Sequence, residues 1–216
     1  MAAETHAPGS SHRAANDGVH TEITRFTKHG SILTKRITLG ADGKPHADGS
    51  SCRMTSGVAR RHRMNGGRLA EGLAETINGM GAKDALALGR LPDEIAFDCH
   101  IQTKKRRKAG GVAADGRPIL ARSLESFRWS DSAGWALLDR DSKGMPEAVQ
   151  ARLEALGGQE GALRSLIPGF DDIARVSRAS TSSGLYRTDT GERFPGSGGR
   201  HDYLLLAEQS DAPRFL

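Results

Sequence analysis

The segment Trp135-Ala-Leu-Leu138 runs straight into Asp139-Arg140-Asp141 and is then broken by Ser142-Lys143-Gly144 ahead of Pro146. A compact apolar run closed by acids and a glycine, with proline next, reads as strand, acidic turn and helix. The helix so predicted carries Val149, Leu153 and Leu156 on one face and closes at Gly157-Gly158, with a shorter helical piece around Leu163 to Ile167. A second apolar run follows the loop Pro195 to Gly199: Arg200 to Leu206 is expected as a strand whose Tyr203-Leu-Leu-Leu206 portion suits the centre of a sheet. Between these elements the chain passes through Ile173 to Val176 and a Ser and Thr cluster, and Gly184 to Arg187 reads as a further strand.

The first half is less sharply marked. Ile23 to Leu39 reads as a strand or irregular hairpin, with turn chemistry in Ala41-Asp-Gly-Lys44. Arg68 to Met80 is an amphipathic helix, since Leu69, Leu73, Ile77 and Met80 recur at spacings of three and four. Arg53, Arg60, Arg61 and Arg63 form a basic lead-in to it; Ala85 to Leu88 is a short buried strand, and Lys104 to Lys108 a polar loop. The opening stretch, residues 1–20, is rich in Ala, Ser, Gly, His and Pro without apolar periodicity and reads as a disordered tail. Residues 21–110 then form the basic N-terminal part of the domain, and residues 111–216 carry the segment with the chemistry.

Composition narrows the classes. No apolar run approaches the roughly 18 residues that span a bilayer, and the N-terminus lacks the layout of a signal peptide, so the expectation is a cytoplasmic protein with no membrane partner. Cys52 and Cys99 are too few for a disulfide framework and form no Cys-x-x-Cys pair. The net charge of +5 is uneven: residues 1–110 hold 18 Lys and Arg against 11 Asp and Glu, and residues 111–216 hold 13 against 15. A basic half beside an acidic one suits a protein that holds a polyanion and concentrates cations.

Four groups of residues could carry chemistry. Asp139 and Asp141, two apart at a strand end, project to one side of the sheet and could share a hard cation such as Mg2+ or Mn2+. The alternative is a pair of exposed acids in a helix-capping turn. Ser197-Gly198-Gly199-Arg200-His201 combines a backbone able to approach an anion with charged donors, and otherwise is a plain glycine-rich turn. His201 opens a strand that is apolar from Tyr203 onward and so needs a partner or a task. Lys104, Lys105, Arg106, Arg107 and Lys108, with Arg60, Arg61 and Arg63, could clasp a nucleic-acid backbone or be solvated faces. Arg187 and Thr188 could orient phosphate or face solvent. Trp129 and Trp135 are core aromatics.

An Asp-x-Asp at a strand end, followed about sixty residues later by Ser-Gly-Gly-Arg-His leading into an apolar strand, resembles the first two motifs of the archaeo-eukaryotic primase superfamily. The closest resemblance is to the bifunctional primase-polymerase domain of plasmid and phage replication proteins, over Trp135 to Leu206, about a third of the chain. The resemblance implies an α+β fold with a mainly antiparallel sheet, flanking helices and an RNA-recognition-motif-like core. It implies that Asp139 and Asp141 bind Mg2+ or Mn2+, that His201 contacts the triphosphate of an incoming nucleotide, and that Ser197, Gly198, Gly199 and Arg200 shape the loop around it. DNA, nucleoside triphosphates and a helicase domain or protein are the implied partners, in plasmid, phage or mobile-element replication.

One departure bears on activity. The family's third motif is an aspartate at the end of a later strand, and Asp202 and Asp211 are the only acids between His201 and Leu216 apart from Glu208. Asp202 falls on the opposite face of its strand from His201, and Asp211 reads as a helix cap, so neither fits. Arg214-Phe215-Leu216 reads as a helix cut short, and the expectation is a truncated, inactive fragment if the missing ligand is essential. The competing readings are a non-catalytic nucleic-acid-binding module and, ranked last, a metal-dependent phosphoesterase.

Overall fold

A computed structural model describes residues 4–6, 18–105, 111–140, 144–180, 183–194 and 198–215. Two sheets carry the fold. The five-stranded sheet runs β6-β2-β5-β7-β8, formed by β2 (His20–Lys28), β5 (Ser56–Asn65), β6 (Asp84–Ala87), β7 (Asp98–Gln102) and β8 (Ile119–Ala121). All its pairings are antiparallel except that of β7 with β8. The four-stranded sheet runs β1-β10-β11-β9 and is wholly antiparallel, from β1 (Glu4–His6), β9 (Gly134–Arg140), β10 (Arg175–Ala179) and β11 (Arg200–Leu206). The class is therefore α+β with mainly antiparallel sheets and few helices, as expected.

Alternation along β2 explains how the layers stack. Ile23 faces one side of the five-stranded sheet and Phe26 the other, and both are buried. On the Ile23 side, Met64 of β5 joins Leu69, Leu73 and Ile77 of α1 (Leu69–Asn78) and meets Trp135, Val176 and Tyr203 of the four-stranded sheet in one core. Each such large apolar side chain contributes about 1.5–3 kcal/mol when fully buried. On the Phe26 side, Ala59, Cys99 and Ile101 are capped by Leu91, Ile95 and Phe127 from the connecting loops, with Phe26 and Phe127 edge to face at 5.0 Å. The first core joins both halves of the chain, and β8 belongs to the sheet of the first half, so the boundary drawn at 110/111 is not a structural one.

Helix α2 (Glu147–Ala155) packs against helix α3 (Gly158–Leu166), and α3 with the turn after it meets the outer face of the four-stranded sheet at Arg175. Arg175 of β10 is buried there: it donates to Glu160 of α3 at 2.8 Å and lies 4.6 Å over the Phe170 ring. A paired guanidinium thus does what an apolar side chain would otherwise do, docking the helix on the sheet.

Several sequence-based expectations are met and others corrected. The helix over 68–80 and the strand over 200–206 form as predicted, and the Ala41–Lys44 turn does connect two strands, with Gly43 at φ 72°. However, the hairpin over 23–39 divides: β2 ends at Lys28, and β3 (Arg36–Leu39) pairs with β4 (Pro45–Asp48) as a separate two-stranded sheet. The tail over 1–20 is corrected where Glu4–His6 adds to the edge of β10, a pairing that rests on backbone hydrogen bonds and needs no apolar periodicity. The strand over Gly184–Arg187 is replaced by a single Tyr186–Arg193 bridge, because Arg187 ties to Asp189 at 2.7 Å and Gly191 at φ 72° turns the chain back. Helix α2 forms, but Val149 and Leu156 remain exposed.

Candidate functional site

Strand register brings two of the sequence-predicted residues together. β11 lies between β10 and β9, and His201 is the direct cross-strand partner of Asp139. Directly opposed residues in an antiparallel pair project to the same face, and the His201 Nε2 lies 3.4 Å from the Asp139 Oδ1. On its other side His201 is the partner of Arg178. The row Arg178–His201–Asp139 therefore crosses three adjacent strands on one face.

The next row inward is Val176–Tyr203–Leu137, which is part of the shared core. The charged row thus borders an apolar floor, and Tyr203 connects the two. Burial pushes the Tyr203 phenol above its ordinary pKa, while Arg178 pulls it down and Asp139 pushes it further up, which puts its hydroxyl within the field of both charges. Solvent reaches the row from the strand tips, where the Asp139 side chain is 62% exposed and His201 28%.

The loop entering β11 is shaped by its glycines. Gly198 adopts φ 63°, a conformation that disfavours side-chain-bearing residues, and the Gly199 carbonyl accepts from the Ser180 N–H and the Ser183 hydroxyl, each at 2.9 Å. The exit of β10 and the entry of β11 are thereby tied together beside Arg178 and His201.

Other predicted residues fall elsewhere. Arg200 is corrected: being adjacent to His201 on a strand, it points to the opposite face and bonds Asp202 at 2.9 Å, while Asp202 also accepts from the Ser177 hydroxyl. It therefore does not share a pocket with His201. Asp202 is buried in that arrangement, and Asp211 pairs with Arg214 at 3.1 Å, so neither joins Asp139. Asp141, Ser197, Arg106, Arg107 and Lys108 lie outside the described residues. Among the described residues no group of three or more His, Cys, Asp or Glu is placed to hold a metal ion. Asp139 supplies an exposed carboxylate of the kind a hard cation takes.

The basic residues of β5 differ in exposure. Arg60 and Arg63 are exposed, but Arg61 is corrected: its side chain is 4% exposed, bonded to Glu22 at 2.7 Å and to the carbonyls of Leu91, Pro92 and Ile95. Its charge is spent inside the fold and does not reach a phosphate backbone. Lys104 is exposed and pairs with Glu125 at 3.1 Å, and Lys105 is exposed.

Sequence reading missed Arg178, since a strand reading Arg-Val-Ser-Arg-Ala carries no apolar run and its register cannot be counted from spacing. Among the described residues no helix is long and apolar enough to cross a membrane. No protein-family model, no curated protein and no solved structure matches this chain.

Proposed function

We propose that the row Arg178–His201–Asp139 is the working part of a nucleotide site and that the chain is a nucleotidyltransferase of the primase-polymerase type. The observation that carries the reading is the convergence of Asp139 and His201, 62 positions apart in sequence, as direct partners on one face at 3.4 Å. In this reading Asp139, with Asp141 as the resemblance gives it, holds Mg2+ or Mn2+. Such an ion would neutralise the phosphates and lower the barrier to attack by a 3′-hydroxyl. His201 and Arg178 donate to the phosphate oxygens, as charge-assisted hydrogen bonds to an anion require. Template DNA runs along exposed cations such as Arg60, Arg63, Lys104 and Lys105, and the RNA-recognition-motif-like core and the helicase partner belong to the same proposal.

Calorimetric titration with nucleoside and deoxynucleoside triphosphates, with and without Mg2+ or Mn2+, tests it. Metal-dependent binding that is lost in Asp139→Asn and weakened in His201→Ala is the expected result. Binding indifferent to metal and to both substitutions would sink the reading. One observation favours a second reading: the described part of the site offers a single carboxylate. If the chain is a nucleic-acid-binding module without turnover, Asp139→Asn leaves DNA binding unchanged and no synthesis is detected in the wild type.

A further inference from the structure

A groove of about 430 Å³ runs between α1 and strands β2 and β5, lined by Arg25 of β2, His62 and Arg63 of β5, Arg68 at the head of α1 and Glu75 on it. It belongs to the five-stranded sheet, whereas the Asp139–His201 row lies on the four-stranded one. Two features of the fold open it. β7 stops pairing at Asp98, opposite Arg60, so among the described residues no strand flanks β5 from His62 to Asn65 on that edge. Helix α1 lies close over Met64, where a Cβ on Gly72 would come 3.3 Å from the Met64 Cγ. His62, two residues back on the same face, is left half-buried at the rim of that cover, with its ring lining the groove.

The charges around this imidazole set its state. Burial is the largest cause holding the His62 pKa below its ordinary value, Arg25 and Arg60 add to it, and no hydrogen bond offsets them. The ring is therefore neutral at neutral pH. Arg63, Arg68 and Glu75 are the other charged groups of the groove. Arg25 is held by Asp84 at 2.6 Å and Arg63 by Glu22 at 3.2 Å, while Glu22 also holds Arg61 and Asp98 lies 3.8 Å from Arg60. Arg25, Arg61, Arg63 and Arg68 thus stand against Glu22, Glu75 and Asp84, an excess of one positive charge. Arg68 is exposed and makes no ion pair among the described residues.

These cations are spread too widely for one small anion. Arg60 and Arg63 are three residues apart on an extended strand, about 10 Å, and Arg68 lies past the turn that follows. A chain of phosphates meets such a row along its length. Negative charge laid beside a neutral imidazole also favours its protonated form, which then donates to a phosphate oxygen. We infer that this groove holds the sugar-phosphate backbone of a nucleic-acid strand, with Arg63 and Arg68 paired to phosphates and His62 taking up a proton as the strand binds. The choice of a nucleic acid rests on the proposed function.

Fluorescence anisotropy of a labelled single-stranded oligothymidylate on the whole chain tests the inference, with inorganic phosphate as competitor. Affinity should rise as the pH falls from about 8 to about 6, by up to about tenfold per unit where one proton is bound. His62→Gln should flatten that dependence while the sheet stays folded. Calorimetry in buffers of different protonation enthalpy should show proton uptake in the wild type and none in His62→Gln, a readout that a merely structural histidine would not move. Arg68→Ala should weaken binding at every pH and lower the slope of log affinity against log salt by about 1. The inference is overturned by absent oligonucleotide binding, by a wild-type affinity indifferent to pH, or by a pH dependence that survives His62→Gln. Unchanged binding in Arg68→Ala, or displacement by inorganic phosphate as readily as by unlabelled oligonucleotide, overturns it too. The assay holds neither nucleotide nor metal, so loss of strand binding here and loss of metal-dependent nucleotide binding at Asp139 are scored apart.

Discussion

The two ends of β9 are built on opposite plans. At the Gly134 end every group is held: Trp135 is fully buried and donates from its indole to Thr21 at 3.2 Å, and Gln209, also fully buried, bonds the carbonyls of Leu88 and Trp135 and the Ser130 N–H. These contacts fasten the four-stranded sheet to the five-stranded one. At the Asp139 end the carboxylate is mostly exposed and the His201 imidazole lies 3.4 Å away. The strand is anchored where the sheets meet and left free where a ligand could approach. Under the proposed function, stability and chemistry fall to different residues of a seven-residue strand.

The largest effect should come from breaking the anchor. Trp135→Ala removes a fully buried indole from the shared core and orphans the Thr21 hydroxyl, and should cost about 3–5 kcal/mol in urea unfolding. A loss below about 1 kcal/mol, within the range of surface substitutions, would show that the sheets are joined elsewhere. Next comes Gly134→Ala. An added Cβ would lie 2.5 Å from the Gln209 side chain, which has no free direction to move, so overpacking should cost about 1–3 kcal/mol. Gln209→Ala combined with it should be less damaging than the sum of the two single changes, because the clash is gone.

How much of this could be read in the sequence follows from the same contrast. The Trp135–Leu138 and Tyr203–Leu206 runs announced β9 and β11 because both bury several residues in succession, and the charged ends of those runs announced Asp139 and His201. The α1 helix was legible from Leu69, Leu73 and Ile77. Strand β10 was not, because Arg175 occupies a buried position through Glu160 and Phe170, and sequence patterns score arginine as exposed. Arg61 escapes sequence patterns for the same reason, and Arg200 because neighbours on a strand point to opposite faces. The pairing of Arg178 with His201 is a matter of register, which depends on the long excursion between β10 and β11 and has no counterpart in residue spacing.

A comparison of two aspartates sharpens the contrast with pH. Asp84, 8% exposed at the edge of the five-stranded sheet, is pushed up by burial, but hydrogen bonds from Arg25, Thr27 and the Gly81 N–H outweigh this and hold its pKa below 3.8. A carboxyl depressed by folding stabilises fully above its unfolded pKa and loses that contribution as pH falls through the folded value. Asp84→Asn should therefore cost about 1–3 kcal/mol near neutral pH, and the gap to wild type should close as the pH is lowered below 3.8. A gap that stays constant through that window, followed by thermal unfolding, would mean that shape rather than charge holds the edge.

Asp139→Asn should produce the smallest change in stability of the series, within about 0.5 kcal/mol. Its carboxylate is mostly exposed, and a solvent-screened contact with an imidazole contributes little. The amide keeps the size of the carboxyl but loses its charge, so a cation at the strand tip would lose a ligand while the sheet keeps its packing. Unchanged unfolding together with lost metal-dependent nucleotide binding would separate the two ends of β9 into anchor and site. If Asp139→Asn instead destabilises the chain as Gly134→Ala does, the pairing with His201 is structural, and the division between the ends disappears.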